Sequence, residues 1–331
     1  MKPTHDRLFA VNSTERFSEA AMEVFRYQAS ENRVYRRYLE TLGTDTTKVN
    51  KPENIPFLPI NFFKDFDVVC GTEKPETVFT SSGTTGMTVS RHLVTEVDLY
   101  RRSSLDGFRK FYGDPGEYCI LALLPSYLER TGSSLVYMAE DLIKTSGHPD
   151  SGFYLHNYNE LALKLKELEK INQKTVLLGV TYALLDLAEQ FPGIAHNRWD
   201  ELVIMETGGM KGKRKEMVRE ELHEVLMKGF GVPSIHSEYG MTELLSQAYS
   251  KGNGIFNCPP WMQIMIRDTN DPFSYLQNGR TGGINVIDLA NINSCAFIAT
   301  QDLGKKYDDN SFEVLGRFDN SDIRGCNLLV Q

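Results

Sequence analysis

Apolar residues recur at spacings of three and four from about residue 12 to 45: Phe17, Ala20, Ala21, Val24 and Phe25, then Tyr35, Tyr38, Leu39 and Leu42. That period predicts a helix with one buried face, and Gly43 is a natural stop. Pro52, Pro56 and Pro59 then hold residues 50–59 in extended backbone, because each proline bars its predecessor from the helical region. Residues 78–80 read as a strand end and 89–94 as the next strand, with a polar, glycine-containing loop between them. Beyond residue 117 continuous apolar runs alternate with helical periods. Strands are predicted at 118–124, 175–180 and 202–205, and helices at 133–144, 161–171, 181–190 and 213–226. This β-α-β-α rhythm predicts an α/β fold built on a mostly parallel sheet flanked by helices. From residue 252 the helical period stops. Short strands at 262–266, 283–288, 295–300 and 312–315 predict a smaller β-rich subdomain. The expected division is therefore an α/β core over 1–250 and a β-rich subdomain over 251–331.

Composition narrows the function classes. The chain has 331 residues, 41% hydrophobic and 24% charged, which suits a large folded core and excludes disorder. Thirty-six basic against 44 acidic residues leave a net charge of −8, the wrong balance for tracking a nucleic-acid backbone. Any nucleotide it binds is expected to be small and held locally. Cysteines 70, 119, 258, 295 and 326 are scattered, odd in number and without a Cys-x-x-Cys pair. They predict reduced thiols in a cytoplasmic protein, not a disulfide frame or zinc site. No apolar run is long enough to span a membrane, and the N-terminus lacks the apolar core of a signal peptide.

Three polar segments can carry chemistry. Ser81, Ser82, Gly83, Thr84, Thr85 and Gly86 follow Thr80 directly. Glycines let successive N–H groups turn toward one point and hydroxyls add donors without bulk, which suits a polyphosphate. No Gly-Lys-Ser/Thr follows, so this is not a Walker loop. An ordinary Ser/Gly-rich hairpin has the same composition. The second segment is His236-Ser237-Glu238-Tyr239-Gly240-Met241-Thr242-Glu243, running into Leu244 and Leu245, where a helix start is predicted. There Thr242 can donate to a phosphate, Glu243 can hold Mg²⁺ and Tyr239 offers a flat face to a base. Plain capping by Thr242 explains the same residues. In the third segment, Asp302 at an expected strand end can accept from two ribose hydroxyls, and Arg317 can meet an oxygen nearby. Turn formation is the competing explanation for Asp302-Leu303-Gly304 and Asp319-Asn320.

Taken in order, these segments resemble the motifs of the adenylate-forming enzymes, the superfamily of acyl-CoA synthetases and nonribosomal adenylation domains. A Ser/Gly/Thr-rich loop, Tyr-Gly-x-Thr-Glu, an acidic ribose binder and a Gly-Arg-x-Asp hinge have counterparts at 81–86, 239–243, 302 and 316–319. Further segments are similar to the LuxE-like acyl-protein synthetases of bacterial fatty-acid reductase systems. These are Leu124-Pro125-Ser126-Tyr127-Leu128-Glu129-Arg130, Glu206-Thr207-Gly208-Gly209-Met210-Lys211 and Arg324-Gly325-Cys326-Asn327. The proline-rich stretch near residue 56 also resembles phenylacetate-type aryl-CoA ligases. The resemblance implies a large adenylate-forming domain of the N-terminal type, with ATP and Mg²⁺ as cofactors. It implies that Ser81, Ser82, Gly83, Thr84, Thr85 and Gly86 hold the β- and γ-phosphates. Thr242 touches the α-phosphate, Glu243 holds Mg²⁺, Tyr239, Gly240 and the Gly208-Gly209 turn flank adenine, and Asp302 with Arg317 holds ribose. Cys326 matches the cysteine that accepts the acyl group.

Two departures accompany the resemblance. Met87-Thr88 replace the Pro-Lys that often follows the loop, and the chain ends just after the hinge motif. The mobile C-terminal domain and its lysine are therefore expected to be absent. Three outcomes follow from that: Arg91, Lys211 or Lys213 substitutes for the lysine, a partner supplies it, or adenylation is slow. The expected function is ATP-dependent activation of a fatty or aryl acid as acyl-adenylate, then transfer to a thiol, with an acyl-accepting or acyl-reducing protein as partner. Transfer to coenzyme A or phosphopantetheine is the alternative within the fold, and a degenerate, non-enzymatic nucleotide- or acyl-binding module is the alternative outside it.

Overall fold

The computed structural model describes residues 2–81, 88–125, 132–193, 199–208, 214 and 217–318. The chain forms two compact units. One is continuous, Lys74–Pro259; the other joins Met1–Glu73 to Pro260–Gln331. The expected division, 1–250 and 251–331, had left the N-terminal helices with the α/β core.

In chain order, the first segment holds α1 (His5–Phe9), α2 (Thr14–Glu31), α3 (Arg33–Thr41), β1 (Leu58–Pro59) and α4 (Phe62–Asp65). The single helix expected over 12–45 is two. Asn32 adopts extended backbone between α2 and α3, and its side chain accepts from the Tyr35 N–H at 2.9 Å, so it caps the second helix. Its amide also donates to the Ser294 carbonyl at 2.8 Å. A residue engaged on both sides cannot continue the helix. Gly43 ends α3 as expected, with φ at +66°. The C-terminal part of this unit is an antiparallel meander of β11 (Met262–Arg267), β12 (Gly282–Asp288), β13 (Phe297–Lys306) and β14 (Phe312–Arg317). The short β1 pairs parallel to β13. Phe297 of β13 sits among Phe25, Tyr35 and Phe57, with ring centroids 6.0 to 6.3 Å away. Gln28 of α2 donates to the carbonyls of Asn291 and Ile292 and accepts from the Ala296 N–H. The two ends of the chain thus share one core.

The continuous unit begins with the hairpin β2 (Thr77–Thr80) and β3 (Arg91–Val94). There follow α5 (Val97–Tyr112), β4 (Cys119–Leu123), α6 (Ser134–Ser146), β5 (Gly152–Tyr154), α7 (Tyr158–Lys170), β6 (Thr175–Val180), α8 (Thr181–Gln190), β7 (Leu202–Thr207) and α9 (Arg219–Phe230). The unit closes with β8 (His236–Tyr239), β9 (Ala248–Ser250) and β10 (Ile255–Asn257). Within it the strands run in the order β10-β9-β8-β7-β6-β4-β5. The stretch β5 to β8 is parallel, and β9 and β10 are antiparallel additions. The large sheet is therefore mixed, where a mostly parallel one was expected; its parallel stretch, with helices packed against it, follows the alternating pattern. Strands β4 and β6 are buried along their whole length, which accounts for their unbroken apolar sequence. Helix α9 starts only at Arg219, because Val218 is still extended. Among the described residues no helix is long and apolar enough to cross a membrane.

Replacing Asn32 with Ala removes the cap and the bond to Ser294 together. The expected loss is about 2 kcal/mol of stability, measured as a lowered urea midpoint. An unchanged midpoint would show that the junction is not held by this side chain.

Candidate active site

Strands β7 and β8 lie parallel, with Glu206 opposite Ser237, and end side by side. In parallel sheets the carboxyl ends of strands are where ligands gather, because the connecting loops open there. Beyond β7 comes Gly208, exposed and at φ +77°, a left-handed turn that favours glycine. Beyond β8 come Tyr239 and Gly240. The chain then makes a turn in which the Leu244 N–H donates to the Met241 carbonyl at 3.1 Å, and returns as β9 with Ala248 opposite Tyr239. The helix expected at Leu244 does not form. Both leucines are buried, and pairing of β9 with β8 draws the chain back into the sheet. Thr242 and Glu243 consequently occupy a turn, and no helix terminus stands behind Thr242.

The hairpin β2–β3 meets this turn directly. His92 of β3 is buried, and its Nδ1 lies 2.9 Å from the Thr242 carbonyl; since a carbonyl only accepts, the ring donates. The hairpin is closed by the Ser81 N–H to the Ser90 carbonyl at 3.1 Å and the Ser90 N–H to Ser81 Oγ at 2.9 Å. Ser81 thus uses its hydroxyl to fix the root of the Ser/Gly loop. Ser82, Gly83, Thr84, Thr85 and Gly86 lie outside the described residues, as do Gly209, Tyr127, Lys211, Lys213 and Cys326. Glu243 is 6% exposed, a hard-oxygen donor suited to Mg²⁺ shared with phosphate oxygens. Among the described residues no three potential ligands cluster into a metal site. Tyr239 is largely buried, its ring edge-on to Phe256 at 6.0 Å.

In the other unit, Asp302 lies inside β13, not at a strand end, and faces Arg317 of β14. Arg317 Nε donates to Asp302 Oδ1 at 3.1 Å. The carboxylate side chain is 8% exposed and the arginine 76%. The two residues singled out for ribose are thus direct neighbours, brought together by cross-strand register.

The family model described as acyl-protein synthetase, LuxE, matches residues 10–331. The chain belongs to the LuxE acyl-protein synthetase family. It is an AMP-forming acid–thiol ligase, an adenylate-forming acyl ligase in the broad sense. Solved structures share its fold. A 2-hydroxyisobutyryl-CoA ligase in an open conformation, in complex with 2-HIB-AMP and CoA, has a TM-score of 0.67 at 14% identity, over 92% of this chain and 70% of that one. The same ligase in the postadenylation state with R3-HIB-AMP gives 0.69 at 14%, over 95% and 70%. ATP-bound MatB from Rhodopseudomonas palustris gives 0.54 at 16%, over 72% of this chain and 47% of that one. No curated protein matches the chain.

Within this LuxE-family fold, two buried acids stand where the sequence analysis assigned no role. Glu206 of β7 accepts from Thr181 Oγ1 at 2.9 Å and lies 3.8 Å from His223 Nε2. Burial alone would raise its value, but the nearby His223 and the hydroxyl of Thr181 outweigh that and hold the carboxyl below its ordinary range. Glu238 of β8 accepts from Thr207 Oγ1 at 2.6 Å. Burial pushes it up to about 7; the Thr207 bond opposes the rise and the charge of Glu206 adds to it. Glu206 follows the apolar run Leu202–Met205, which signals burial in the sequence, whereas Glu238, after His236 and Ser237, carries no such signal. His236 shares a hydrogen bond with the Tyr112 hydroxyl at 3.1 Å, and burial, with Lys251 adding, lowers it to about 4. It is a neutral, structurally engaged histidine at pH 7. Gly179, Val180, Thr181 and Tyr182 at the β6–α8 junction are buried, and the Tyr182 hydroxyl donates to the Pro125 carbonyl. Cys70, Cys119 and Cys295 are buried, and burial raises all three thiols, the latter two to about 11 and about 12. They are packing residues, not nucleophiles.

A Cβ at Gly240 would stand 2.3 Å from Glu238 Oε1 and 3.3 Å from Gln247 Cγ. Gly240→Ala therefore forces a buried carboxyl aside, with an expected loss of about 1–3 kcal/mol in thermal or urea unfolding. Unaltered stability would mean that the carboxyl moves without cost.

Proposed function

We propose that this chain activates a carboxylic acid, fatty or aryl, as its acyl-adenylate and passes the acyl group to its own Cys326. The observation that carries the proposal is the hydrogen bond from His92 to the Thr242 carbonyl. It ties the hairpin bearing the Ser/Gly loop to the Thr-Glu turn, at the carboxyl ends of β7 and β8. A sequence rich in amide and hydroxyl donors, carried by a hairpin that is tied to a turn holding a buried acid, suits a polyphosphate with its metal. Ser81, Ser82, Gly83, Thr84, Thr85 and Gly86 are assigned the β- and γ-phosphates, Thr242 the α-phosphate, and Gly208, Gly209, Tyr239 and Gly240 the adenine. Asp302, with Arg317, is assigned the ribose hydroxyls. Mg²⁺ held by Glu243 would supply charge neutralisation at the phosphate oxygens.

The substrate carboxylate attacks the α-phosphorus of ATP, a new P–O bond forms, the bond to the β-phosphate bridging oxygen breaks, and pyrophosphate leaves. No general base is needed, because the acid is ionised near pH 7. The protein contributes position and fixed donors around the phosphates. The Cys326 thiolate then attacks the acyl carbon and AMP leaves. The accepted acyl group is destined for a protein partner that takes or reduces it. Scattered cysteines without a Cys-x-x-Cys spacing support a reducing, cytoplasmic setting. Transfer to coenzyme A is a second reading, favoured by the fold shared with a ligase solved with CoA.

Carboxylate-dependent ATP–pyrophosphate exchange against a panel of fatty and aryl acids tests the first half. Exchange with at least one acid is expected, and silence across the panel with folded protein and Mg²⁺ would reject it. Glu243→Gln is expected to lower the exchange rate about a hundredfold; a rate equal to wild type would remove Glu243 from the mechanism. Cys326→Ser separates the two acceptors. Exchange should survive and labelled acyl-protein should vanish, whereas persistent acyl-protein would acquit this cysteine.

A further inference from the structure

Glu238 immediately precedes Tyr239 and is buried. One of its oxygens accepts from Thr207 Oγ1, the last residue of β7. The other lies so close to Gly240, the first residue beyond β8, that no side chain fits there. A single carboxyl group thus touches the root of the 207–208 turn and the root of the 239–240 turn. Thr207 is also buried, so water does not compete for the bond. The groups facing Glu238 are Thr207 and Glu206 from β7, Tyr100 from α5 and Tyr249 from β9, and none of these is a cation.

We propose that Glu238 is a positioning residue that clamps the Thr207–Gly208 turn to the Tyr239–Gly240 turn, and so fixes the separation of the two walls assigned to adenine. This rests on the assignment of those turns to the base. A glutamine would make the same bond without titrating, so strand packing alone does not call for an acid beside another acid. The carboxyl, raised to about 7, is neutral at lower pH. As pH climbs through about 7 it ionises beside Glu206; the Thr207 hydroxyl still donates to it, but repulsion between the two carboxylates, with no cation among the described groups facing Glu238, pushes the two turns apart. The sign for stability is the same. A carboxyl raised on folding favours the protonated folded state, so its contribution is present below its ordinary value of 4.5 and is lost as pH rises to about 7.

Adenosine is the probe, since it has no phosphate and carries no group that titrates between about pH 6 and 8.5. Its affinity is measured by calorimetry over that range for wild type, Glu238→Gln and Glu238→Ala. Wild-type affinity is expected to fall about fivefold as pH rises, E238Q to show no such fall, and E238A to be about fivefold weaker throughout. Parallel pH profiles for wild type and E238Q, or wild-type affinity in E238A, would overturn the clamp. Should E238A fail to fold, Thr207→Val removes the same bond from the other side and is expected to weaken adenosine equally; wild-type affinity in it is also fatal. If wild type binds neither adenosine nor ATP, the adenine assignment itself falls and takes the clamp with it. If wild type binds ATP and only the pH profiles fail, the assignment stands and the clamp alone is lost.

Discussion

The parallel alignment of β7 and β8, followed by the reversal into β9, is the constraint on which the candidate site depends. With Glu206 opposite Ser237, the two strands end together, and both following segments leave the sheet at the same edge. Because β9 pairs antiparallel with β8, the chain has only residues 240–247 in which to turn back. That short span places Thr242 and Glu243 in a tight turn beside the strand ends. A helix in its place would carry them away from the sheet along its own axis. His92 secures the turn from the hairpin side with a buried, directional bond. Removing its partner would leave a polar group without water, which is why such bonds hold geometry more firmly than their net energy suggests.

The same strand ends bring two buried acids together, where a second negative charge is harder to hold than the first. Glu206 has Thr181 and His223 to stabilise its charge; Glu238 has a single threonine hydroxyl. Their environments split their ionisation in opposite directions, and the pair behaves as one shared charge near neutrality. The glycine after Tyr239 is explained by this arrangement, since its missing side chain is the space the Glu238 carboxyl occupies.

Much of the fold was legible in the sequence because buried parallel strands leave unbroken apolar runs. The strand at Thr175–Val180 and the helix Thr181–Gln190 match their expected bounds. The failures share a cause: periodicity is local, and the deciding contacts are distant. Asn32 splits the first helix through a bond to Ser294, 262 residues away. The apolar pair Leu244-Leu245 fits a helix start as well as a buried turn, and only the pairing of β9 decides between them. Asp302 followed by Leu303-Gly304 resembles a turn, yet β13 continues through it with an irregularity in register between Leu303 and Gly304. The motif positions were readable from residue types, whereas the joining role of His92 was not, because one histidine in a strand carries no signature of its partner.

The unit assembled from both chain ends has a consequence for synthesis. Lys74–Pro259 is continuous, and the strands that run β10-β9-β8-β7-β6-β4-β5 can pair with one another once residue 259 has emerged. Helices α2 and α3 still lack their partners at that point. Their apolar faces are covered by Phe297 and its neighbours, which are translated more than two hundred residues later. At ~5–20 residues per second those faces stay uncovered for on the order of ten seconds to a minute. During that time the nascent chain carries an amphipathic helix pair whose covering strands are still to be made.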